Sequence, residues 1–305
     1  MKKSLLLTTL TAFGFAGFAQ TFVSTTPENR NIVLEELTGI YCGFCPDGHR
    51  LAGELYDANP GDVVLINIHT GGYANPNGGD PDYRTDFGAA LANQSGVCGY
   101  PAGTVNREFF SGYNQTNADP PCTASTAQSR GAWSTTGAIV LGESSPVNVA
   151  AQATLDLSTG KLTVVAEAYY TGNGVGTSNK LSVAVLQDGL VGPQSGSSAN
   201  PDQVNPDGTY NHNHMLRHLM TGQYGVDVAP TTMGSFFTET FVWDVPTDIN
   251  GEAVDLNNLS VVVFIAEGNE DIITGSEAEM SVVSPNAYDA LPAAIEVPEF
   301  ICDNE

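Results

Sequence analysis

The chain has 305 residues, of which 10 are Lys or Arg and 34 are Asp or Glu, so its formal net charge is −24 at pH 7. This length is enough for two domains of ordinary size. A surface this acidic repels phosphate backbones and anionic lipid headgroups, which excludes nucleic-acid binding. The 33 glycines and 17 prolines, with only 14% charged residues, indicate many turns and a β-rich second half.

The N-terminus has the pattern of a secretory signal peptide. Lys2 and Lys3 precede an apolar stretch, residues 5–18, and small residues lie just before Gln20. This order of charge, apolar run and small residues is typical of exported proteins. We predict a signal peptide over residues 1–20, with cleavage near Gln20. Since no other run approaches the ~20 apolar residues of a membrane helix, we expect no transmembrane span.

A predicted strand, a turn and a helix frame two cysteines. Residues 31–37 (NIVLEEL) predict a short buried strand, and Cys42 and Cys45 follow after a turn. Pro46 is tolerated in the first turn of a helix. Beyond it, small and apolar residues recur at the spacing of one helix face: Gly48, Leu51, Ala52 and Leu55.

The position of the two cysteines at a helix N-terminus favours thiolate chemistry. Free backbone N–H groups and the positive end of the helix dipole stabilise a thiolate. We therefore expect Cys42 to be the exposed, attacking thiol of a redox dithiol and Cys45 to be the resolving thiol. Two other interpretations stay open. A zinc site needs a second ligand pair, and His49 brings the ligands to three at most. A structural disulfide needs the two cysteines alone.

Further elements follow in an order that resembles the thioredoxin fold. Residues 63–69 (VVLINIH) predict a buried strand, and residues 83–93 predict a helix after a long polar loop. Tyr100 and Pro101 then precede a strand that begins near Thr104. The resemblance implies an α/β thioredoxin-like N-terminal domain, in which a cis-proline begins the strand that faces the two cysteines.

The same resemblance implies roles for four residues. Cys42 is the nucleophile, Cys45 the resolving thiol, Glu36 a buried acid that moves protons for Cys45, and Pro101 the proline that shapes the substrate groove. Two features depart from the thioredoxin pattern: Tyr41 stands where thioredoxins have Trp, and the loop of residues 71–82 is longer than in a minimal thioredoxin.

Three further cysteines lie outside the pair. Cys98, three residues before Pro101, is expected either to pair with Cys122 across a surface loop or to lie near the dithiol as a resolving partner. Cys302 is left over. Because five cysteines cannot all pair within one chain, one thiol stays free or bridges to a partner.

The second half of the chain predicts an all-β sandwich domain. A helix is expected from Ala124 to about Gly137, and short alternating runs separated by turns begin after residue 144. Strands of this length and spacing are typical of a β-sandwich. We predict strands at residues 147–155, 162–168, 181–185, 237–243 and 261–266.

The composition changes near residue 143, which we take as the domain boundary. The predicted organisation is a signal peptide (1–20), a thioredoxin-like domain (21–143), a β-sandwich domain (144–284) and a C-terminal tail (285–305).

Three histidines lie close together in the second half. His212, His214 and His218 fall within seven residues, beside Arg217. If His212 and His214 lie on one strand, they share a face and have a spacing that binds zinc or copper. The alternative is that the histidines pack and form hydrogen bonds at the domain interface. We predict no metal site, with these three residues as weak candidates, and no cofactor.

The joint order of several segments resembles a known family. EELTGIYCGFCPDGH, GYPAGTVNRE, VLQDGLVGPQ and YNHNHMLRHLMTG occur in this order in one acidic chain. They resemble the outer membrane protein 28 related family of Gram-negative bacteria, over roughly residues 30–270. The resemblance implies export to the outer membrane, the periplasm or the cell exterior. It implies no settled reaction, since members are described as surface proteins or adhesins.

Two functions compete. The first is a thiol–disulfide oxidoreductase that acts on a protein thiol or disulfide outside the cytoplasm. The second is a non-catalytic surface binding or adhesion protein, in which Cys42 and Cys45 form a structural disulfide and the partner is a surface ligand.

Overall fold

The computed structural model describes residues 21–115 and 125–284. This part of the chain is β-rich, with few helices. The predicted signal peptide and C-terminal tail lie outside the described residues. The described α-helices are α1 (Cys45–Ala58), α2 (Gly88–Ser95) and α3 (Trp133–Leu141). None of them is long and apolar enough to cross a membrane.

The strands fall along the whole described chain. In the first half they are β1 (Ile32–Thr38), β2 (Val63–His69), β3 (Ala102–Val105) and β4 (Gln128–Ser129). The next seven are β5 (Val147–Asp156), β6 (Lys161–Tyr170), β7 (Asn179–Gln187), β8 (Leu190–Gly192), β9 (Tyr210–His212), β10 (Met215–Leu219) and β11 (Val226–Val228). The last six are β12 (Phe236–Asp244), β13 (Asp248–Ile249), β14 (Glu252–Ala253), β15 (Leu259–Ala266), β16 (Ile272–Glu277) and β17 (Glu279–Val283).

The first half forms a parallel pair extended by antiparallel strands. β1 runs parallel to β2, and α1 makes the crossover connection between them, as a parallel pair requires. β3 is antiparallel to β1, and β4 is antiparallel to β3. Because alternate residues of a strand point to opposite faces, Ile32 and Leu34 pack on the side of α1 and α3, while Val33 packs on the side of α2.

One sheet joins the two halves of the chain. Its strand order is β16-β15-β7-β10-β2-β1-β3-β4, and β11 pairs with β7. The junction is the parallel pairing of β10 with β2, where Met215 lies opposite Asn67. The division into domains 21–143 and 144–284 stays a prediction. Strands from both of these ranges are hydrogen-bonded to each other in this one sheet.

A second sheet packs on this one in the second half of the chain. Its order is β12-β6-β5-β17. The core between the two layers is built from alternate apolar residues of facing strands: Val149, Leu155, Val164, Val183, Val263 and Ile265. The five strands predicted for this half are confirmed as β5, β6, β7, β12 and β15, because period-2 alternation is a strong signal when one face of a strand is buried.

The predicted bounds of the helices agree less closely with the structure than those of the strands. The helix expected at 83–93 is observed at Gly88–Ser95. The helix expected to begin at Ala124 is wrong at its start, because Gln128 and Ser129 form β4 at the sheet edge. The helix begins at Trp133 and runs to Leu141. Ladder hydrogen bonds with β3 and burial of the indole fix this boundary, and neither contact is local in sequence.

A buried ion pair joins β1 to the turn after β3. Arg107 donates to both carboxylate oxygens of Glu35, at 2.7 Å from Nε and 2.5 Å from Nη2. Both side chains are about 95% buried. The Arg107 guanidinium also lies 5.2 Å from the centre of the Phe264 ring. This bidentate ion pair gives each oxygen of the buried Glu35 carboxylate a hydrogen bond.

We expect Arg107→Met to lower the free energy of unfolding by about 3–5 kcal/mol, because it leaves the Glu35 carboxylate buried and unpaired. Urea denaturation measures this. Lys161→Met is the matched control, since its pair with Asp244 is largely exposed and contributes at most about 1 kcal/mol. Glu35→Gln in the Arg107→Met background should recover part of the loss, and equal stability of the two single variants would contradict the assignment.

Candidate functional site

Cys42 and Cys45 form a disulfide at the N-terminus of α1. The helix begins at Cys45, and Pro46 occupies its first turn, where a missing N–H costs nothing. Cys42 is 2% exposed and Cys45 is fully buried. The expectation that Cys42 is exposed is therefore wrong.

The reason lies in the second half of the chain. Residues 193–200, which follow β8, lie over the disulfide loop, and we call them the covering segment. The Gln194 side-chain amide donates to the carbonyl of Cys42 at 3.0 Å, and the Ser195 N–H donates to the carbonyl of Ile40 at 2.8 Å. Gly196 packs so closely that a Cβ there would lie 1.9 Å from the Gly43 carbonyl oxygen.

Glu36 carries a buried carboxyl beside the helix that holds the disulfide. Its side chain is fully buried, and neither carboxyl oxygen has a hydrogen-bond partner among the described residues. Burial raises the pKa of Glu36 well above its usual value, and the positive charge of Arg130 offsets part of this rise. The group therefore tends to hold its proton, which is the property of a proton donor or acceptor matched to thiol chemistry.

Gly48 and Pro101 meet at this carboxyl. A Cβ at Gly48 would lie 2.5 Å from Glu36 Oε1 and 3.2 Å from the ring of Pro101. Only glycine leaves room for these two neighbours, and Gly48 lies one turn after Cys45 on α1. The Tyr100–Pro101 peptide bond is cis and immediately precedes β3. The four residues named from the sequence thus lie around the start of α1, and their roles stay a prediction.

His49 links Glu36 to the second half of the chain. Its Nε2 lies 3.0 Å from Thr38 Oγ1 and 3.8 Å from Glu36 Oε1. Its Nδ1 lies 2.9 Å from the Tyr210 hydroxyl, which accepts a hydrogen bond from Asn200 Nδ2 at 3.1 Å. Burial, with the nearby imidazoles of His212 and His214, lowers the pKa of His49 to about 3, so the ring is neutral.

Sequence reasoning missed Tyr210 and Asn200, because they lie more than 150 positions from the disulfide. It considered His49 only as a third zinc ligand. The helical spacing of His49 one turn after Cys45 was the available signal, since it places the ring on the face of α1 that meets β1.

Exposed aromatic rings flank the covered disulfide. Phe44, between the two cysteines, is 68% exposed, and the Arg130 guanidinium lies 5.6 Å from the centre of its ring. Tyr73 is 49% exposed, and its backbone carbonyl accepts from the Tyr41 N–H at 3.0 Å. Large exposed aromatic rings are typical of surfaces that bind protein partners.

The three candidate histidines have different neighbours. His212 lies on β9, with its ring packed against His69, Tyr83 and Tyr210. His214 lies in the turn before β10, so the premise that it shares a strand face with His212 is wrong. His218 stacks on Trp243 with 4.5 Å between ring centres. Within residues 21–115 and 125–284, no group of three or more His, Cys, Asp or Glu side chains is arranged to hold a metal ion.

Cys98 is disulfide-bonded. It does not pair with the two cysteines at α1, which bond to each other. The predicted pairing with Cys122, and the predicted leftover Cys302, fall on residues outside those that the structure describes.

The fold and the site define a β-rich protein with a covered disulfide next to a buried carboxyl. Residues 88–281, more than half of the chain, match the family described as Outer membrane protein Omp28. This protein belongs to the Omp28 family, as the order of its sequence segments predicted. Membership agrees with the predicted location, that of an exported protein that is outer-membrane-associated, periplasmic or extracellular.

Solved structures give a second comparison. HBP35 of Porphyromonas gingivalis is similar over 90% of this chain and 83% of that chain, with a TM-score of 0.63 and 19% sequence identity. At this identity the likeness concerns the fold alone. A domain of the outer membrane lipoprotein Omp28 from Porphyromonas gingivalis is similar over 45% of this chain and 90% of that chain, with a TM-score of 0.31 and 13% identity. No curated protein matches the chain.

We expect Glu36→Gln to change how stability depends on pH. The folded-state pKa of Glu36 lies above its value in the unfolded chain, so its favourable contribution is complete below the unfolded pKa and is lost as pH rises through the folded pKa. Between these two values the wild type should lose about 1.4 kcal/mol per pH unit relative to Glu36→Gln. Urea denaturation across this range measures the difference, and a constant difference would refute it.

We expect Gly196→Ala to open the covering segment. The added Cβ meets the Gly43 carbonyl, and φ at this position is +70°, which favours glycine. Reduction of the Cys42–Cys45 disulfide by dithiothreitol should become about tenfold faster, as expected for the loss of one or two hydrogen bonds. Gly208→Ala is the control, because φ is +86° there but a Cβ has open space. Equal rates in both variants would show that the segment does not limit access.

Proposed function

We propose that this protein is an exported thiol–disulfide exchange protein with a thioredoxin-like site. In this proposal Cys42 is the nucleophile, Cys45 the resolving thiol, Glu36 the proton acceptor for Cys45, and Pro101 the border of the substrate groove. The observation that carries the proposal is the Glu36 carboxyl beside the helix of the disulfide, fully buried and without a hydrogen-bond partner in residues 21–115 and 125–284.

The strand arrangement supports the thioredoxin-like assignment. β1, α1 and β2 form a parallel crossover unit, β3 and β4 add antiparallel strands in the order β2-β1-β3-β4, and the disulfide lies at the N-terminus of α1. A cis-proline precedes β3, the strand antiparallel to β1. This is the order of elements that the thioredoxin resemblance implies.

The buried acid favours exchange chemistry over a purely structural disulfide. Burial of an ionisable group without a partner lowers the stability of the folded protein, and a structural disulfide does not need such a group beside it. Residues that reduce stability in this way are typical of functional sites, where a shifted pKa serves the reaction. Gly48 keeps the space for the carboxyl open on the helix side.

The reaction balances without a cofactor. The Cys42 thiolate of the reduced protein attacks a substrate disulfide, a Cys42–substrate S–S bond forms, and the first substrate thiolate leaves and takes a proton from water. The Glu36 carboxylate then accepts the proton of the Cys45 thiol. The Cys45 thiolate attacks the Cys42 sulfur, the intramolecular disulfide forms, and the second substrate thiolate leaves. Two electrons pass from the dithiol to the substrate, and the reverse steps oxidise a substrate dithiol.

Access to Cys42 requires the covering segment to move. Its backbone and side-chain contacts to the disulfide loop include the hydrogen bonds of Gln194 and Ser195, each of which contributes about 1 kcal/mol net. A protein substrate that docks on the exposed rings of Phe44 and Tyr73 gains apolar contact that offsets this cost. The site is therefore suited to a protein partner rather than to a small free thiol.

Two observations favour the alternative, a non-catalytic surface binding protein with a structural disulfide. Both sulfur-bearing residues are buried in the disulfide state, and the family match begins at residue 88, beyond the two cysteines. The reduction potential separates the two functions, since catalytic pairs lie near about −120 to −270 mV and structural ones below about −300 mV.

A matched pair of cysteine variants tests the proposal. We expect Cys45→Ser, with Cys42 reduced, to trap a mixed disulfide with a disulfide-bonded protein such as insulin or scrambled ribonuclease. The Cys42 thiolate attacks the substrate disulfide and one substrate thiolate leaves, but the resolving thiol that would release the adduct is missing. Cys42→Ser should trap none, because Cys45 is fully buried inside the helix. Non-reducing electrophoresis and mass spectrometry identify the adduct. The proposal fails if Cys45→Ser forms no adduct and the wild-type disulfide does not exchange with the thiols of reduced, denatured ribonuclease.

A further inference from the structure

The covering segment and Tyr210 belong to one hairpin. β8 and β9 pair in antiparallel fashion, with Gly192 opposite Tyr210, and the covering segment begins at the next residue after β8. Asn200, at the end of that segment, donates to the Tyr210 hydroxyl at 3.1 Å. The unit that closes over the disulfide therefore also carries the hydroxyl that reaches His49.

The Tyr210 hydroxyl is placed to select the tautomer of His49. The phenolic oxygen accepts from Asn200 Nδ2, so its own hydrogen is free to be donated, and His49 Nδ1 lies 2.9 Å away. If Nδ1 accepts, the proton of the neutral ring is on Nε2. That N–H donates to Thr38 Oγ1 at 3.0 Å, and Glu36 Oε1 lies 3.8 Å from the same nitrogen, beyond hydrogen-bond distance but close enough to feel the N–H dipole.

The orientation of this N–H matters for the carboxyl. The positive end of an N–H dipole 3.8 Å from Glu36 Oε1 stabilises the carboxylate form, whereas a bare ring nitrogen in the same place stabilises the protonated acid. Without the Tyr210 hydroxyl, His49 is free to carry its proton on Nδ1 and to turn a lone pair toward Glu36. The tautomer thus sets how readily Glu36 gives up its proton.

We propose that Tyr210, through His49, is a positioning residue for Glu36, so that the hairpin covering the disulfide also sets the proton affinity of the acid. The inference rests on the proposed function only for its role in exchange. A partner that draws the hairpin away would remove the Tyr210 hydroxyl from His49. The Glu36 carboxylate would then bind a proton more tightly and accept one more readily from the Cys45 thiol.

Other charged and titratable groups face the same carboxyl and ring. The Arg130 guanidinium, just before α3, acts on Glu36, and His212 and His214 act on His49. Tyr210→Phe removes the hydroxyl and leaves these charged and titratable groups in place. A change in the titration of Glu36 in Tyr210→Phe therefore reports on the hydrogen-bond chain.

The test is a carbon-13 NMR titration of the Glu36 carboxyl in full-length protein labelled at glutamate, with Glu36→Gln to assign the signal. We expect Tyr210→Phe to raise the pKa of Glu36 by about 0.5–1 pH unit, the effect of turning one nearby N–H dipole away from a buried carboxylate. Tyr170→Phe is the matched control. Tyr170 is equally buried, but it lies on β6 in the four-stranded sheet, and its hydroxyl donates to Asn179 at 2.7 Å. No shift in Tyr210→Phe, or an equal shift in the control, would overturn the inference.

A second variant keeps the test decisive if Tyr210→Phe does not fold. Asn200→Ala removes the donor to Tyr210 and leaves the phenol, so it should shift the same titration in the same direction by a smaller amount. Absence of that shift would overturn the inference. The titration uses the disulfide form, so its result is independent of whether Cys45→Ser traps a substrate. A shift without trapping would remove the proposed function and leave the coupling of Tyr210 to Glu36.

Discussion

The pairing of β10 with β2 is the contact on which the arrangement of this protein depends. It is short, with Met215 opposite Asn67, but both backbone and side chain of Asn67 take part: its N–H donates to the carbonyl of His214 at 2.7 Å and its amide donates to Asn213 at 2.8 Å. This junction continues the sheet of the first half into the second. Because β9 directly precedes β10, the junction also brings the β8–β9 hairpin over the N-terminus of α1.

The buried carboxyl of Glu36 shows a conflict between stability and chemistry. Nearby on the same strand, Glu35 is equally well buried but fully paired with Arg107, and that pair is a structural solution. Glu36 has no such partner in the part of the chain that the structure describes, and it lies against Gly48, Pro101 and the His49 ring. Two adjacent carboxyls on one strand, one neutralised and one left with a raised pKa, are readily explained if the second serves proton transfer. Alternation along the strand places them on opposite faces of the sheet.

Membership in the Omp28 family and the proposed exchange chemistry rest on different parts of the chain. The family match spans residues 88–281, whereas the disulfide and Glu36 precede it. The two parts meet physically where the covering segment lies on the disulfide loop. In the proposed exchange reaction, only partners able to displace that segment would react, which would favour selectivity for protein substrates over reaction with any available thiol.

The sequence by itself determined the local features of the site. The strand before the cysteines and the helix after them follow from period, spacing and turn chemistry within short windows, whereas the acid at Glu36 and the proline at Pro101 were named from the resemblance to the thioredoxin fold. The sequence also predicted the β-strands of the second half, because apolar and polar residues alternate along a strand that has one buried face. It failed at Cys42, expected to be exposed, and at β4, expected to be helix, because both outcomes depend on contacts with residues far along the chain. Only the tertiary structure could bring Gln194, Asn200 and Tyr210 to the disulfide and its acid, since hydrogen bonds between such distant residues leave no periodic signal in the sequence.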